Sequence, residues 1–329
     1  MTGRPASGPP QPCAVGLDLG GSRIKAVATS PAGAVLARAQ APTPRAGADA
    51  VLQAMIALAQ RVSACRPIGS VGAALPGVVD MGGGAALFLP NVPGPWEGRP
   101  VGAELAAALG APCAVINDVR AATVGELRAG AGRGVRHFVL IAVGTGIGGG
   151  IVVDGALHLG AGGHAGEVGH QSIEAHGPRC GCGNRGCGEA LASGPALVAA
   201  AARAVLQGWP TQLRAACRGR ISGLTPQLVA RVAAAGDPVA GRLLAEMAER
   251  LGTLAANLVV VLNPQRVVIG GGLARAGAPL LAGVAATLEA RAGWYLRHAP
   301  ADVVAAELGE QAGALGAAAW GHERAVRGG

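Results

Sequence analysis

Three thiols and an imidazole lie close together in the stretch HAGEVGHQSIEAHGPRCGCGNRGCGE, at Cys180, Cys182, Cys187 and His170. That donor set completes one closed tetrahedral Zn²⁺ site. The whole chain has seven cysteines, so three of them beside one histidine is a metal signal. A disulfide explains them less well, because three is odd and Cys180 and Cys182 are too close along the chain to bridge comfortably. Chance thiols beside a surface histidine are the plain alternative. Two carboxylates, Glu167 and Glu189, flank the four ligands. The loop over 160–188 is crowded with glycine and poor in large apolar groups, so burial does not offset the entropy of ordering it. A bound metal would, and both glutamates would take their positions from it.

Other residues suggest phosphate chemistry. Asp18, Gly20, Gly21 and Ser22 follow the apolar run CAVGLDL. Glycines there let backbone N–H groups approach a phosphate, and Asp18 can hold Mg²⁺ directly or through water; the plain alternative is an ordinary Gly-Gly hairpin. Gly144, Thr145, Gly146, Gly148 and Gly149 form a second glycine turn that matches G-x-G-x-x-G. A dinucleotide fingerprint needs a helix next, but Ile151-Val152-Val153 follows, which reads as a strand. The second motif is therefore a strand–turn–strand phosphate loop and not an NAD site. Gly270, Gly271 and Gly272 end the run RVVIGGG, where bare backbone allows a flat ring such as adenine to come close, or simply makes a tight turn. Asp118 ends the run CAVIND at a strand's carboxyl end, where open α/β sheets bind ligands. It is a general-base candidate, or else a helix cap. Asn91 and Trp96 lie in the loop NVPGPWEG, with a substrate role and a structural one both open for Asn91.

The elements that must carry these residues alternate. A β-meander from 13 to about 42 holds the first turn, and a helix follows over 48–65. A strand over 69–75 leads into a Gly- and Pro-rich loop, then a helix over 101–109, the strand 113–118 and a helix over 119–129. Residues 137–153 form the second strand–turn–strand. Ala- and Leu-rich helices occupy 195–262, with Asp237-Pro238 as a start signal. A strand, a helix, a strand near 302–307 and a final helix from about 311 close the chain. There is no sequence-level internal repeat.

Composition narrows the class. The chain has 329 residues, half of them apolar, and a net charge of +8. No apolar run of about 18 residues is present to span a membrane. The opening MTGRPASGPPQPC lacks the pattern of a secretory signal, and free thiols fit a reducing cytoplasm. The positive charge is carried almost wholly by scattered arginines, with Lys25 the only lysine. Scatter argues against a nucleic-acid surface.

The order of two glycine turns, a strand-end carboxylate and a late Gly-Gly-Gly resembles the actin-like ATPase fold, also called ribonuclease H-like or hexokinase fold. There, two α/β lobes clamp ATP and a sugar in a cleft. The pairing of Glu167-Val168-Gly169-His170 with CGCGNRGCGE is similar to the signature of the ROK family of repressors, open reading frames and sugar kinases. The resemblance runs from about residue 14 to 322. It implies a disordered tail over 1–12, a small lobe over 13–118 and 311–329, and a large lobe with the metal loop over 119–310. It also implies an ATP-dependent hexose kinase with Mg²⁺ and structural Zn²⁺, glucose as first substrate, and a homodimer or dimer of dimers in the cytoplasm. N-acetylmannosamine, N-acetylglucosamine or fructose are the alternatives.

By position, Asp118 corresponds to the base. Asn91, Asn117, Asp118, Glu167, His170 and Glu189 correspond to sugar contacts. Asp18, Gly20, Gly21, Ser22, Gly144, Thr145, Gly146, Gly148 and Gly270 to Gly272 correspond to nucleotide contacts. Ser22, Arg120 and Gly188 depart from the common pattern, and Gly188, where a large residue is usual, suggests an open pocket wall. Repressors of the family carry a helix-turn-helix ahead of the first turn; the 17 residues before Asp18 are too few for one. A non-catalytic sugar sensor is the rival of a different class, and the presence of Asp118 argues against it. Loss of the metal is expected to spoil sugar binding and to spare ATP binding, which rests on distant turns.

Overall fold

The computed structural model describes residues 11–327, without the side chains of Arg275 and Ala276. All but the last two residues of the expected N-terminal tail lie outside the described residues. Two compact units divide the chain, one up to Ala129 and again from Glu310, the other Gly130–Gly309.

In the first unit, β1 (Cys13–Leu19), β2 (Arg23–Thr29) and β3 (Val35–Pro42) form the expected meander. Helix α1 (Ala48–Ser63) follows. It buries Val51, Leu52, Met55, Leu58, Ala59 and Val62, an i, i+3, i+4 stripe that faces the core. It stops where Ala64 and Cys65 turn left-handed, with φ of 47° and 65°. Strand β4 (Ile68–Leu75) runs parallel to β1. The Gly- and Pro-rich loop after it contains an unexpected hairpin, β5 (Val78–Asp80) with β6 (Ala85–Phe88). Asp80 Oδ1 closes that turn by accepting from the N–H groups of Gly82 and Gly83, at 3.0 and 2.9 Å. Helix α2 (Val101–Leu109), strand β7 (Cys113–Asn117), parallel to β4, and helix α3 (Asp118–Ala129) complete this part. The sheet order is β3-β2-β1-β4-β7.

The second unit opens with β8 (Phe138–Val143), β9 (Ile147–Val153) and β10 (Ala156–Leu157). The metal loop follows, then α4 (Gly188–Ala192), α5 (Gly194–Leu206), α6 (Leu213–Ala216), α7 (Pro226–Ala234) and α8 (Pro238–Leu262). Helices α5, α7 and α8 each start with a proline in the first turn behind a capping Ser193, Thr225 or Asp237. Strand β11 (Arg266–Gly270), α9 (Ala278–Leu296) and β12 (Asp302–Ala305) close the unit. The sheet order is β10-β9-β8-β11-β12, with β8, β11 and β12 parallel.

The last helix, α10 (Ala312–Arg327), returns to the first unit and packs on β1, β4 and α3. It comes so close that a Cβ on Gly16 would overlap the Ala314 carbonyl, one on Gly72 the Ala317 carbonyl, and one on Gly316 the Ala121 carbonyl of α3. This contact corrects the domain boundary expected at residue 118. Helix α3 is held by α10, so the break follows Ala129.

Candidate active site and metal centre

In the first unit, Asp18 is the penultimate residue of β1, which turns through Gly20–Arg23. The Gly20 N–H donates to the Arg23 carbonyl at 2.9 Å, and Thr43 Oγ1 donates to the Gly20 carbonyl at 2.6 Å. Ser22 is exposed on the turn. Gly21 backs onto Asn91: a Cβ at Gly21 would lie 3.0 Å from the Asn91 carbonyl oxygen. Asn91 itself has a left-handed φ of 62°. Asp18 faces Lys25 across the β1–β2 ladder, and Lys25 Nζ lies 3.5 Å from Asp18 Oδ2. Its carboxylate also rests on Gly313 of α10, where a Cβ would be 2.8 Å from Asp18 Cγ. Burial raises the Asp18 pKa, and Lys25 pulls it back.

Asp118 follows the end of β7, so both acids lie at the carboxyl edge of the parallel strands. Burial first, and the Asp18 charge second, push Asp118 up to about 6; the Val119 N–H and the charge of Arg120 oppose this. Val119 N–H donates to Asp118 Oδ1 at 2.8 Å. Asn117 does most of the capping of α3, its Oδ1 accepting from Val119 and Arg120 at 3.1 and 3.2 Å while its Nδ2 donates to the Gly77 carbonyl at 3.0 Å. Arg120 is buried at 2% exposure, and its charge lowers the Asp118 pKa.

In the second unit, the β8–β9 turn is closed by the Gly144 N–H to the Gly146 carbonyl at 2.9 Å, with Thr145 exposed at its tip and Gly148 in β9. Gly194 N–H donates to the Gly144 carbonyl at 2.9 Å. Gly270 ends β11, and Gly271 (φ 82°) presses on Val143 at the end of β8, where no side chain fits. Gly272 borders a cavity of about 240 Å³, lined also by Pro226, Gln227, Ala230, Arg231 and Leu273. Gly194 joins that cavity to the β8–β9 turn, since its Cβ position lies 2.9 Å from the Gly144 oxygen, 3.2 Å from Pro226 and 3.5 Å from Leu273.

His170, Cys180, Cys182 and Cys187 converge, with their ligand atoms all within 4.8 Å of one another. Cys182 Sγ is 3.7 Å from Cys187 Sγ, and Cys180 Sγ is 3.7 Å from His170 Nδ1. A tetrahedron with Zn–S bonds of about 2.3 Å has edges of roughly 3.8 Å, so the donors fit a zinc-sized ion. A tight knuckle presents them: Cys180 N–H donates to the Asn184 carbonyl at 2.8 Å, and Gly183 N–H to the Cys180 carbonyl at 3.0 Å. Glu167 is exposed just ahead of the turn Val168–His170.

Glu189, in the first turn of α4, reaches the β8–β9 turn. Its Oε2 accepts from the Ile147 N–H at 2.9 Å. The metal loop and the second glycine turn are therefore neighbours, which corrects the expectation that ATP would bind on distant turns. Gly188 is also corrected. It is buried, and a Cβ there would run into Leu254 of α8, so it permits helix packing and does not open a pocket wall.

The model of the ROK family matches residues 14–324. The chain belongs to the ROK family. A glucokinase of Streptomyces coelicolor is 33% identical over 310 residues, covering 92% of this chain and 96% of its own. An N-acetylmannosamine kinase of Escherichia coli is 33% identical over 307 residues, covering 92% and 96%. The crystal structure of a ROK glucokinase from Streptomyces griseus, in complex with glucose and AMPPNP, matches with a TM-score of 0.81 at 32% identity, covering 94% of this chain and 99% of its own. The chain thus has the actin-like ATPase fold of ROK kinases. Sequence reasoning missed Thr43, which locks the first turn, and Gly313, which makes room for Asp18. It also missed Gln227 and Arg231, one helical turn apart on α7 beside the cavity. The hydroxyl of Thr43 was a signal for the first, and it lies in no motif.

Proposed function

We propose that this ROK-family chain is an ATP-dependent hexose kinase that converts glucose to glucose 6-phosphate. The observation that carries the proposal is Asp118, a carboxylate at the strand edge whose pKa of about 6 suits a general base near neutral pH. A sugar hydroxyl is a poor nucleophile. Asp118 takes its proton as the oxygen attacks the γ-phosphoryl group in line. Asn91, Asn117, Glu167, His170 and Glu189 hold the ring through its other hydroxyls. His170 directs Nδ1 toward Cys180, which leaves Nε2 for a hydroxyl. The turns at Gly20–Ser22 and Gly144–Gly148 present backbone N–H groups to the phosphates. The cavity beside Gly272 takes the nucleobase: it is joined to the phosphate turn through Gly194, and Gln227 offers it both a donor and an acceptor.

Asp18 is the residue that would hold Mg²⁺, which would supply positive charge against the phosphates. His170 and the three cysteines hold Zn²⁺ in a structural role, since four protein ligands leave no position for substrate. Among the described residues, no helix is long and apolar enough to cross a membrane. We read the molecule as a cytoplasmic homodimer or dimer of dimers. A coupled assay with ATP across glucose, fructose, mannose and the N-acetylhexosamines tests the activity, with fastest turnover on glucose expected. Turnover on no sugar would refute a kinase, and preference for N-acetylmannosamine would replace glucose as substrate.

A further inference from the structure

Glu189 touches two structures of different purpose. Its Oε1 lies 3.9 Å from Cys180 Sγ in the metal knuckle, and its Oε2 accepts from Ile147 N–H in the phosphate turn. We propose that the Glu189 carboxylate is a strut that couples the acceptor-sugar subsite and metal loop to the donor phosphate turn, so that each subsite alters the affinity of the other. The proposal rests on the hexose-kinase reading.

The turn between β8 and β9 is hydrogen-bonded from outside on both of its sides. Gly194 N–H fixes the Gly144 side, and Glu189 fixes the Ile147 side. A Cβ on Gly146 would fall on Glu189 Oε2, the mobile end of that side chain, so a side chain here must displace the carboxylate. The glycine at this position thus leaves the Glu189 carboxylate its place on the turn. The front of the metal loop is seated on the same strand. Gly169 lies over the Ile147 carbonyl with no space for a Cβ, and a Cβ on Gly149 would be 2.9 Å from the Gly166 carbonyl oxygen. Both ends of the loop therefore rest on the start of β9.

A carboxylate has two oxygens and can accept on each. One can serve a sugar hydroxyl while the other keeps the turn in shape. A bond from a backbone N–H to a charged oxygen is stronger than a neutral one, which makes the strut sensitive to what its other oxygen contacts. Linkage then requires the effect to run equally in both directions.

Calorimetry on the zinc-loaded protein tests this without turnover. In the absence of sugar, Glu189→Ala is expected to weaken binding of a non-hydrolysable ATP analogue with Mg²⁺ by about tenfold. Glu189→Gln, whose amide oxygen can accept the same N–H, is expected to restore most of that affinity while still losing affinity for glucose. A residue that only touched sugar would leave the analogue Kd unchanged in both variants, and that result overturns the strut. In the reverse direction, Gly146→Ala pushes against Oε2 and is expected to weaken glucose binding severalfold in nucleotide-free protein; an unchanged glucose Kd overturns the coupling. Zinc content and Tm are measured on each variant. If Glu189→Ala loses zinc or folds poorly, Glu189→Gln and Gly146→Ala decide. Wild-type protein that binds neither glucose nor the analogue refutes the kinase reading itself, whereas normal binding without the cross effects refutes only the strut.

Discussion

Asp118 carries a conflict between its surroundings and its task. Burial and the nearby Asp18 charge favour its protonated form, while a base must be ionised. Activity should therefore fall as pH drops through about 6, read as kcat/KM against pH. Stability should run the other way. The folded pKa lies above the ordinary 3.8, so the native state holds the proton more tightly than the unfolded chain. That contribution is present below the ordinary value and is lost as pH rises through about 6. Asp118→Asn keeps the shape and removes the buried charge. It is expected to lower kcat by about 10²-fold or more while raising Tm at pH 7.5. Wild-type turnover in this variant, or a lower Tm, would contradict the account.

Three elements concentrate most of the consequence. The metal loop has little apolar content of its own, so Cys182→Ser should release zinc and raise KM for glucose. Because Glu189 joins the loop to the β8–β9 turn, KM for ATP should rise too; elemental analysis and two-substrate kinetics would check both. Helix α7 carries the nucleobase expectation. Gln227→Ala should raise KM for ATP severalfold and leave KM for glucose unchanged, and an unchanged ATP KM would place the base elsewhere. Helix α10 depends on bare backbone at its contacts. Gly72→Ala puts a methyl on the Ala317 carbonyl, with no flexible side chain to yield. A loss of about 1–3 kcal/mol or more is expected in denaturant unfolding, and a neutral effect would mean that the helix can shift.

At the scale of the whole molecule, the two units share one plan. Each sheet begins with an antiparallel meander and continues into two parallel strands, in the orders β3-β2-β1-β4-β7 and β10-β9-β8-β11-β12. Each meander carries one glycine turn between its first two strands. The sequence has no matching repeat, because a sheet order needs only strands of suitable pattern and turns of suitable geometry, and many residues satisfy both. The proposed assembly is tested by light scattering, where a dimer or tetramer mass is expected at micromolar concentration and a monomer would exclude it.

The motifs were legible before the fold. CGCGNRGCGE with His170, the two glycine turns and the acid just after β7 stood out through residue type and spacing, because metal and phosphate binding need particular atoms at particular separations. Most strands and helices were also legible, since their apolar periods follow local geometry. The hairpin at Val78–Phe88 was not, because Asp80 closes it inside a stretch rich in glycine. Contacts between distant segments could not be read at all. Gly188 gave no sign that Leu254 covers it, α3 none that α10 would claim it for the first unit, and Glu189 none that its second oxygen would find Ile147. A close backbone approach leaves only a glycine in the chain, and the sequence does not say which surface that glycine meets.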